Sequence, residues 1–394
     1  MTLYAFVFSL LLAAAFKDDT AQVVSSEFWS ELSWHPIVVF LKTNFQLLAF
    51  LNVVIGAILV IKERSPVLMK TTYLLVLILM YVFAISRAVF ADVDHATKLS
   101  VTICILIWIW IVVGKSKVLY GVEAAVILTE RAVFAFAIFF VALNMVNFAS
   151  GYGYVPGNPR FFGTSGHPNF IGVQLALCNL LMLFKLPKLD GFLKRSFALT
   201  ILVFGLYLMM ITGSRTAALM FISGSIVIYG VGVGGVSLLR RVAASLFLTL
   251  VLIYSVVGLV SIDGLDMYSR GADTTDTRTE AWASMLDDVS DNPWIGKGVP
   301  SGKSENSYLK ASKEYGVFYG LILAVLVLSK IRMLYRLTNE YIGSIHYKGW
   351  LAVMVALAIG GCFEAYLDDS FSLPLIIFCL VLSIPTVRRT SVSP

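Results

Sequence analysis

Long runs of apolar residues recur along the whole chain, separated by short polar segments. Each window of roughly 17 to 25 residues is long enough for an α-helix to cross a hydrocarbon core about 30 Å thick. About twelve such windows predict an all-α polytopic membrane protein with about twelve transmembrane helices. The first window lacks the basic start of a signal peptide and is interpreted as a helix. The predicted spans begin near Met1, Pro36, Thr72, Leu99, Arg131, Phe170, Phe197, Thr216, Val242, Gly316, Trp350 and Phe371.

Composition agrees with this pattern. The 394 residues are 58% hydrophobic and 14% charged, whereas soluble domains are typically about 25% charged and about 45 to 50% apolar. The cysteines lie in predicted spans at spacings that suggest neither a disulfide framework nor a metal site. With no internal repeat or appended soluble segment visible, residues 1–394 are interpreted as a single integral membrane domain.

The placement of basic residues predicts the topology, because short cytoplasmic loops retain Lys and Arg. All clusters fall on one side of the membrane if both termini are cytoplasmic. The opposite side then receives a structured outer loop at 149–169 and a large periplasmic loop with short helices at 263–315, between spans nine and ten. The net charge of +6 therefore reflects topology, and no basic stripe with interleaved aromatics points to nucleic acid. The basic clusters include Lys62 and Arg64, Lys115 and Lys117, Lys194 and Arg195, Arg240 and Arg241, Lys330 and Arg332, and Arg388 and Arg389.

A lone arginine interrupts the longest apolar run, which extends from Phe197 to Leu239. The run is about twice as long as one span requires. It is therefore interpreted as two spans joined by a tight turn at GSRT, with Arg215 at the outer face. An arginine at this depth either faces a partner or a water-filled cavity, or extends to the lipid headgroups as an interfacial anchor.

The two predicted outer segments carry further candidates. GYGYVPGNPRFFGTSGHPNFIG crowds glycines and prolines around Arg160, His167 and Asn169 just before a span. A hydrogen-bonded structural histidine and a surface arginine are the alternatives to a functional role there. In the larger segment, TRTEAWASMLDDVSDNPWIGKG predicts an amphipathic helix followed by an Asn-Pro break and a Gly-Lys-Gly turn. Next, Ser304 or Asn306 can cap a helix that begins near Glu305, whose carboxylate would alternatively only stabilise the helix dipole.

These segments, taken in order, resemble one known family. RFFGTSGHPNFIG, TGSRTA at a span end, RTEAW with NPWIGKG, and ENSYLKASKEYG resemble the O-antigen ligase and polymerase superfamily of bacterial envelope glycosyltransferases. The resemblance covers residues 160–320 and the general multi-span layout. It implies a GT-C-like helical membrane fold, a polyprenyl (undecaprenyl) diphosphate-linked glycan donor, and no metal ion or other cofactor.

One position departs from the ligase pattern of the family. Ligases carry a histidine that starts a His-Ser-x-x-Leu pattern with a glycine further on, and the matching positions here are Glu305, Asn306, Leu309 and Gly316. The family histidine assists the acceptor hydroxyl, so the resemblance implies that the carboxylate of Glu305 would take this role. The missing histidine favours a polymerase over a ligase.

The reaction needs a base for an acceptor hydroxyl and cations for a leaving diphosphate. Planar, forked arginine donors suit phosphate oxygens, and Glu305 is the first candidate base, followed by His167. An Asp-x-Asp pair, Asp92 and Asp94 beside His95, is the alternative in which a metal neutralises the leaving group. The diphosphate candidates are Arg215, Arg278, Arg160 and Arg270, with Lys303 weaker; the sugar or acceptor contacts are Asn169, Asn306, Tyr308 and Trp282; Glu364 and Asp368 are candidate partners of an arginine.

The sequence thus predicts a metal-independent, inverting O-antigen or polysaccharide polymerase of the bacterial inner membrane. It would transfer a growing glycan from its polyprenyl diphosphate to the nonreducing end of another lipid-linked repeat unit, with a chain-length regulator as a potential partner and the active site facing the periplasm. The nearest alternative is an O-antigen ligase or protein oligosaccharyltransferase that uses the same donor. A flippase or transporter is the alternative from another class, but the charges of interest lie at the outer edge and no related halves are visible.

Overall fold

The computed structural model describes residues 1–17, 32–62, 72–231, 277–300, 305–340, 345–367 and 371–384. Over these residues the regular elements are helices, and no strand is present. The first nine are α1 (Thr2–Ala15), α2 (Pro36–Thr43), α3 (Phe45–Lys62), α4 (Thr72–Ala88), α5 (Val93–Tyr120), α6 (Val122–Ala149), α7 (Pro168–Lys185), α8 (Phe192–Ile211) and α9 (Arg215–Gly230). A 3-10 turn, Leu186–Lys188, follows α7. The remaining five are α10 (Thr277–Asp291), α11 (Ser307–Tyr315), α12 (Val317–Glu340), α13 (Ile345–Gly360) and α14 (Leu373–Ser383).

The prediction of a helical multi-pass membrane protein is confirmed. Six helices among the described residues are long and apolar enough to cross a membrane: α3, α5, α6, α7 with its 3-10 turn, α8 and α12. Shorter apolar helices, α1, α4, α9 and α14, occupy further predicted spans. The predicted span near Val242 lies outside the described residues, so the total of twelve stays a prediction.

Several helix boundaries differ from the predicted spans for local reasons. The span expected from Leu99 begins earlier, at Val93, because the Asp92 side chain caps the helix by accepting from the His95 backbone N–H. The span expected from Arg131 begins at Val122, directly after Gly121, whose φ of 82° ends the preceding helix. The span expected from Pro36 is divided at Asn44 into α2 and α3.

The helix α7 lies at the centre of the bundle. Every residue from Ile171 to Phe184 is buried, and α7 contacts α6, α8, α9 and α13, while α13 packs closely on α9. A short apolar helix, α14, is buried along its whole length. Because α7 and α9 begin at the same end of the bundle, the loop before α7 and the α8–α9 turn are brought together.

The other end of α7 carries a paired charge cluster. The buried carboxylate of Glu130 in α6 accepts from Lys185 at 2.6 Å, lies 3.6 Å from the Lys188 amine, and bonds to the His346 ring. Nearby, Lys330 donates to the backbone carbonyls of Leu382 and Ile384 at the C-terminal end of α14. Cations stabilise that end of a helix. Basic residues that the sequence assigned to cytoplasmic clusters therefore also pair within the bundle.

A close approach of α7 to the α8–α9 turn depends on Gly172. A Cβ placed there would lie 2.7 Å from Ser214 Cβ and 2.9 Å from Thr212 Oγ1, closer than real contacts allow. We expect Gly172→Ala to cost about 1 to 3 kcal/mol through overpacking, more than alanine gains in helix propensity. The measurement is the thermal melting temperature in detergent.

The matched control is Gly230→Ala, because a Cβ at Gly230 meets no atom within 4 Å among the described residues. That variant should melt at or slightly above the wild-type temperature. Equal melting temperatures for the two variants would contradict the close contact between α7 and the turn.

Candidate functional site

Four segments meet at the end of the bundle where α7 and α9 begin. They are the loop before α7, the α8–α9 turn, the segment that starts α11, and the segment that follows α13. Side-chain hydrogen bonds cross between them at residues far apart in sequence. We call the central part of this region the polar cluster, defined by Arg160, His167, Asn169, Thr216 and Glu364.

The loop from Ser150 to His167 is held in shape by two asparagines of α6. Asn144 accepts from the Thr164 backbone N–H at 3.0 Å, and Asn147 donates to the Gly163 carbonyl at 3.0 Å. Both asparagines are fully buried. Buried amides keep their place when all their polar atoms are paired, so this clamp fixes the loop that carries Arg160.

Arg160 binds two different elements. Its Nε donates to the Thr212 carbonyl at the end of α8 at 2.7 Å, and its Nη2 donates to Asn169 Oδ1 in α7 at 2.6 Å. The side chain is half-buried. A guanidinium has five N–H donors in a planar fork, so two bonds to different elements fix the plane of this side chain.

His167 is the N-cap of α7. Its Nδ1 accepts from the Asn169 backbone N–H at 3.2 Å, so the neutral ring carries its proton on Nε2. Burial, and secondarily the charge of Arg160, lowers the pKa of His167 to about 4. The ring is therefore neutral at pH 7 and presents an N–H donor, which favours hydrogen bonding to substrate over proton abstraction.

The carboxylate of Glu364 connects the polar cluster. It accepts from Asn169 Nδ2 at 3.1 Å and from Thr216 Oγ1 at 3.5 Å. The Asn169 side chain thus lies between the Arg160 guanidinium and the Glu364 carboxylate. The sequence anticipated an arginine partner for Glu364 but not the intervening amide; its other candidate, Asp368, lies outside the described residues.

Arg215 occupies the first position of α9, directly after the N-cap Ser214. The prediction of a tight turn at GSRT between two helices is confirmed. The arginine is exposed and makes no hydrogen bond or ion pair with the described residues. A cation gains nothing from the positive end of a helix dipole, so this placement favours an anion above the start of α9.

The segment before α11 is fixed against the end of α13. Asn306 caps α11 by accepting from the Tyr308 and Leu309 N–H groups, and its Nδ2 donates to the Cys362 carbonyl at 2.9 Å. The prediction of a capped helix beginning near Glu305 is confirmed for Asn306. Glu305 is half-buried and immediately precedes this cap, two residues from the Ser307 hydroxyl that donates to the Glu364 carbonyl.

Tyr308 and Trp282 line the same region. The Tyr308 hydroxyl donates to the Ala358 carbonyl at 3.3 Å, and burial raises the pKa of Tyr308, so the phenol stays protonated. The Trp282 ring lies 6.1 Å from the Phe363 ring, and its Nε1 is buried without a partner among the described residues. Each of the two side chains thus combines a large apolar ring with a hydrogen-bond donor.

The predicted amphipathic helix is confirmed as α10, with Ala281 and Met285 buried. Its acidic Asp288 forms an ion pair with Lys313 of α11 at 3.3 Å, which helps fix α10 to α11. Arg278 lies in the first turn of α10, one turn before Trp282; its side chain lies outside the described residues, as do Arg270 and Lys303.

In the Asp-x-Asp pair, Asp92 has a structural role. Asp92 caps α5, and His95 Nε2 lies 2.8 Å from the Tyr315 hydroxyl. Within the described ranges no group of three or more His, Cys, Asp or Glu side chains is arranged to hold a metal ion. The neighbourhood of Asp92 serves to join α5 to α11.

The residues that position the candidates were not recognisable from the sequence. Asn144, Asn147, Thr216 and Ser307 make the bonds described above, yet none stands in a pattern that reveals its partner. For Asn144, Asn147 and Thr216 the local signal was a polar residue within an apolar stretch, which in a membrane protein indicates a buried pairing. Ser307 lies in a polar segment, which gives no such signal.

A known family resembles the part of the chain that contains two of the four segments, the α8–α9 turn and the segment that starts α11. A family model described as O-antigen ligase matches residues 200–321, from α8 to the start of α12. No curated protein matches the sequence. The match confirms the predicted resemblance to the O-antigen ligase and polymerase superfamily and supports an enzyme of that type, acting in a membrane on lipid-linked glycans. It includes Arg215, Arg270, Arg278, Trp282, Glu305, Asn306 and Tyr308, whereas Arg160, His167 and Asn169 precede it.

The lowered pKa of His167 predicts a pH-dependent stability. As pH falls from about 6.5 toward 4, the unfolded chain takes up this proton before the folded chain does, so folding stability falls in that window. Asparagine is a good N-cap that does not titrate. We therefore expect the melting temperature of His167→Asn in detergent to decline less steeply from pH 7 to pH 4.5 than that of the wild type. Equal slopes would contradict a buried neutral ring.

Proposed function

We propose that the chain is a polysaccharide polymerase, which transfers a growing glycan from polyprenyl diphosphate to the nonreducing end of another lipid-linked repeat unit. The observation that carries this proposal is the meeting of the Arg160 loop, the Arg215 turn and the Glu305 segment at one end of a membrane bundle. A donor with a lipid tail, a diphosphate and a glycan requires an anion site near the membrane surface, and in this proposal the two arginines form that site.

The arginines would bind the donor diphosphate. Arg215 at the start of α9 and Arg160, already oriented by two hydrogen bonds, offer forked donors for phosphate oxygens. The backbone N–H groups at a helix start add to the same potential. Arg278 and Arg270 are further candidates to neutralise the negative charge of the diphosphate. If arginines neutralise the charge of the leaving diphosphate, the reaction needs no metal ion.

Glu305 would act as the general base. The acceptor hydroxyl oxygen attacks the anomeric carbon, the bond from that carbon to the phosphate oxygen breaks, and the diphosphate leaves with the electron pair while the carboxylate takes the proton. A single displacement inverts the anomeric centre. The Nε2–H of His167 would donate to a substrate oxygen, while Asn169, Asn306, Tyr308 and Trp282 would contact acceptor or sugar.

The choice of polymerase over ligase rests on Glu305, which stands where the ligases of the family carry histidine. A ligase or protein oligosaccharyltransferase using the same donor is the alternative, and the family match fits either. The flippase alternative gains no support from the match. The proposal includes the bacterial inner membrane, cytoplasmic termini, a periplasmic active site and a chain-length regulator as a partner.

The first test compares purified wild type with Arg215→Ala, supplied only with a polyprenyl diphosphate-linked repeat oligosaccharide in the presence of chelator. Wild type should form a ladder of longer lipid-linked products. Loss of one charge-stabilising donor typically lowers the rate about 10²- to 10³-fold. Arg195→Ala is the control, because Arg195 is exposed and lies in the first turn of α8 at the opposite end from Arg215.

The products decide between the alternatives. A ladder that appears only after metal is restored would contradict metal independence. Products that form only when a lipid A core or protein acceptor is added would identify a ligase or oligosaccharyltransferase. No transfer with any acceptor would reject a glycosyltransferase and leave transport to be tested.

A second prediction concerns Glu305→Gln, which keeps the shape of the side chain but cannot accept the proton. We expect kcat to fall about 10²- to 10⁴-fold while KM for the donor changes little, measured as initial rates of chain extension. A retained kcat would exclude Glu305 as the base, and a retained anomeric configuration in the product would exclude single displacement.

A further inference from the structure

The amide of Asn169 lies between two opposite charges. Its Oδ1 accepts from Arg160 Nη2 at 2.6 Å, and its Nδ2 donates to Glu364 Oε1 at 3.1 Å. An amide is the side chain that suits both neighbours, because it offers an acceptor to the guanidinium and a donor to the carboxylate. The two charges therefore fix which way the amide points.

Glu364 is itself held from several directions. Its carboxylate accepts from Thr216, the residue after Arg215, at 3.5 Å. Its backbone carbonyl accepts from the Ser307 hydroxyl at 2.8 Å, and its backbone N–H donates to the Gly360 carbonyl at 2.9 Å. One residue thus contacts the start of α9 and the segment next to Glu305, and reaches Arg160 through one amide.

We propose that Glu364 is a positioning residue of the transfer reaction, which sets the orientation of the Arg160 guanidinium through the Asn169 side chain. The proposal rests on the proposed function and goes further in naming how the donor site is aligned with the acceptor base. Glu364 accepts no proton from substrate in this assignment. Its effect is exerted on donor binding and on the alignment of the diphosphate.

The donor and acceptor roles of residues 169 and 364 can be exchanged by substitution. Asn169→Asp places a second carboxylate against Glu364, and close carboxylates repel each other. Adding Glu364→Gln removes that repulsion, because the glutamine amide can donate to Asp at position 169 while that carboxylate still accepts from Arg160. The double variant therefore restores the hydrogen bonds from Arg160 through residue 169 to residue 364. Its negative charge lies at position 169 instead of position 364.

The test measures kcat and KM for chain extension, and separately the Kd for undecaprenyl diphosphate in the absence of turnover. Misplacement of a binding group by about 1 Å can cost 10²-fold in rate. We expect kcat/KM to fall about 10- to 100-fold in Asn169→Asp, mainly through KM, with a matching rise in Kd. The double variant should recover most of both losses, which is the coupling that a double-mutant cycle detects.

A second pair of variants guards against a failure of Asn169→Asp to fold. Glu364→Gln keeps an acceptor oxygen for the Asn169 amide and should lower kcat/KM only a few-fold, whereas Glu364→Ala removes it and should raise both KM and Kd. If Gln lowers kcat as severely as Ala and removes the acidic limb of the pH–rate profile, Glu364 is a catalytic carboxylate and the proposal is overturned. A double variant no better than Asn169→Asp alone overturns it as well.

These outcomes are separable from a failure of the proposed function. If wild type extends no chains, polymerase activity is rejected, but the Kd measurements still compare the variants. If the variants melt at the wild-type temperature and their Kd values are unchanged, the proposed orientation of Arg160 by Glu364 through Asn169 is rejected.

Discussion

The hydrogen-bonded chain from Arg160 through the Asn169 amide to Glu364 holds the candidate site together, because its members belong to different parts of the fold. Arg160 lies in the loop before α7 and also binds the end of α8. Asn169 lies in the first turn of α7, and Glu364 follows α13. Charged groups in an apolar bundle are costly unless paired. The pairing therefore fixes several helix ends relative to one another as well as balancing charge.

At the opposite end of α7, the members of the charge cluster pair with one another. The Glu130 carboxylate is almost fully buried and has three basic side chains around it. At the site end the balance is reversed, because Arg215 is exposed at a helix start and has no hydrogen-bond or ion-pair partner among the described residues. The first arrangement stabilises helix packing. The second raises the positive potential where an anion can reach it, which is the property expected of a substrate site.

Features that depend on local sequence were predictable. The turn at Arg215 followed from the length of an apolar run, the cap at Asn306 from its position before a helical pattern, and the buried face of α10 from the spacing of Ala281 and Met285. Long-range pairings were not predictable, because no periodicity joins Asn169 to a residue 195 positions later. The sequence singled out Asn169 as a candidate sugar or acceptor contact, but it held no signal for the bonds of its amide to Arg160 and Glu364. The division of the run at Pro36 into α2 and α3 was also missed.

The Ser307 hydroxyl holds the segment next to Glu305 through bonds that do not use the Glu305 side chain. It donates to the Glu364 carbonyl and accepts from the backbone N–H groups of Tyr366 and Leu367, so all its hydrogen-bonding capacity is used. These bonds join the segment after α13 to the start of α11 through backbone groups. The side chain at position 305 takes no part in them. A glutamate or a histidine at that position would therefore leave these bonds between the two segments unchanged. Under the proposed function, proteins with different acceptors can therefore differ at position 305 while sharing this fold.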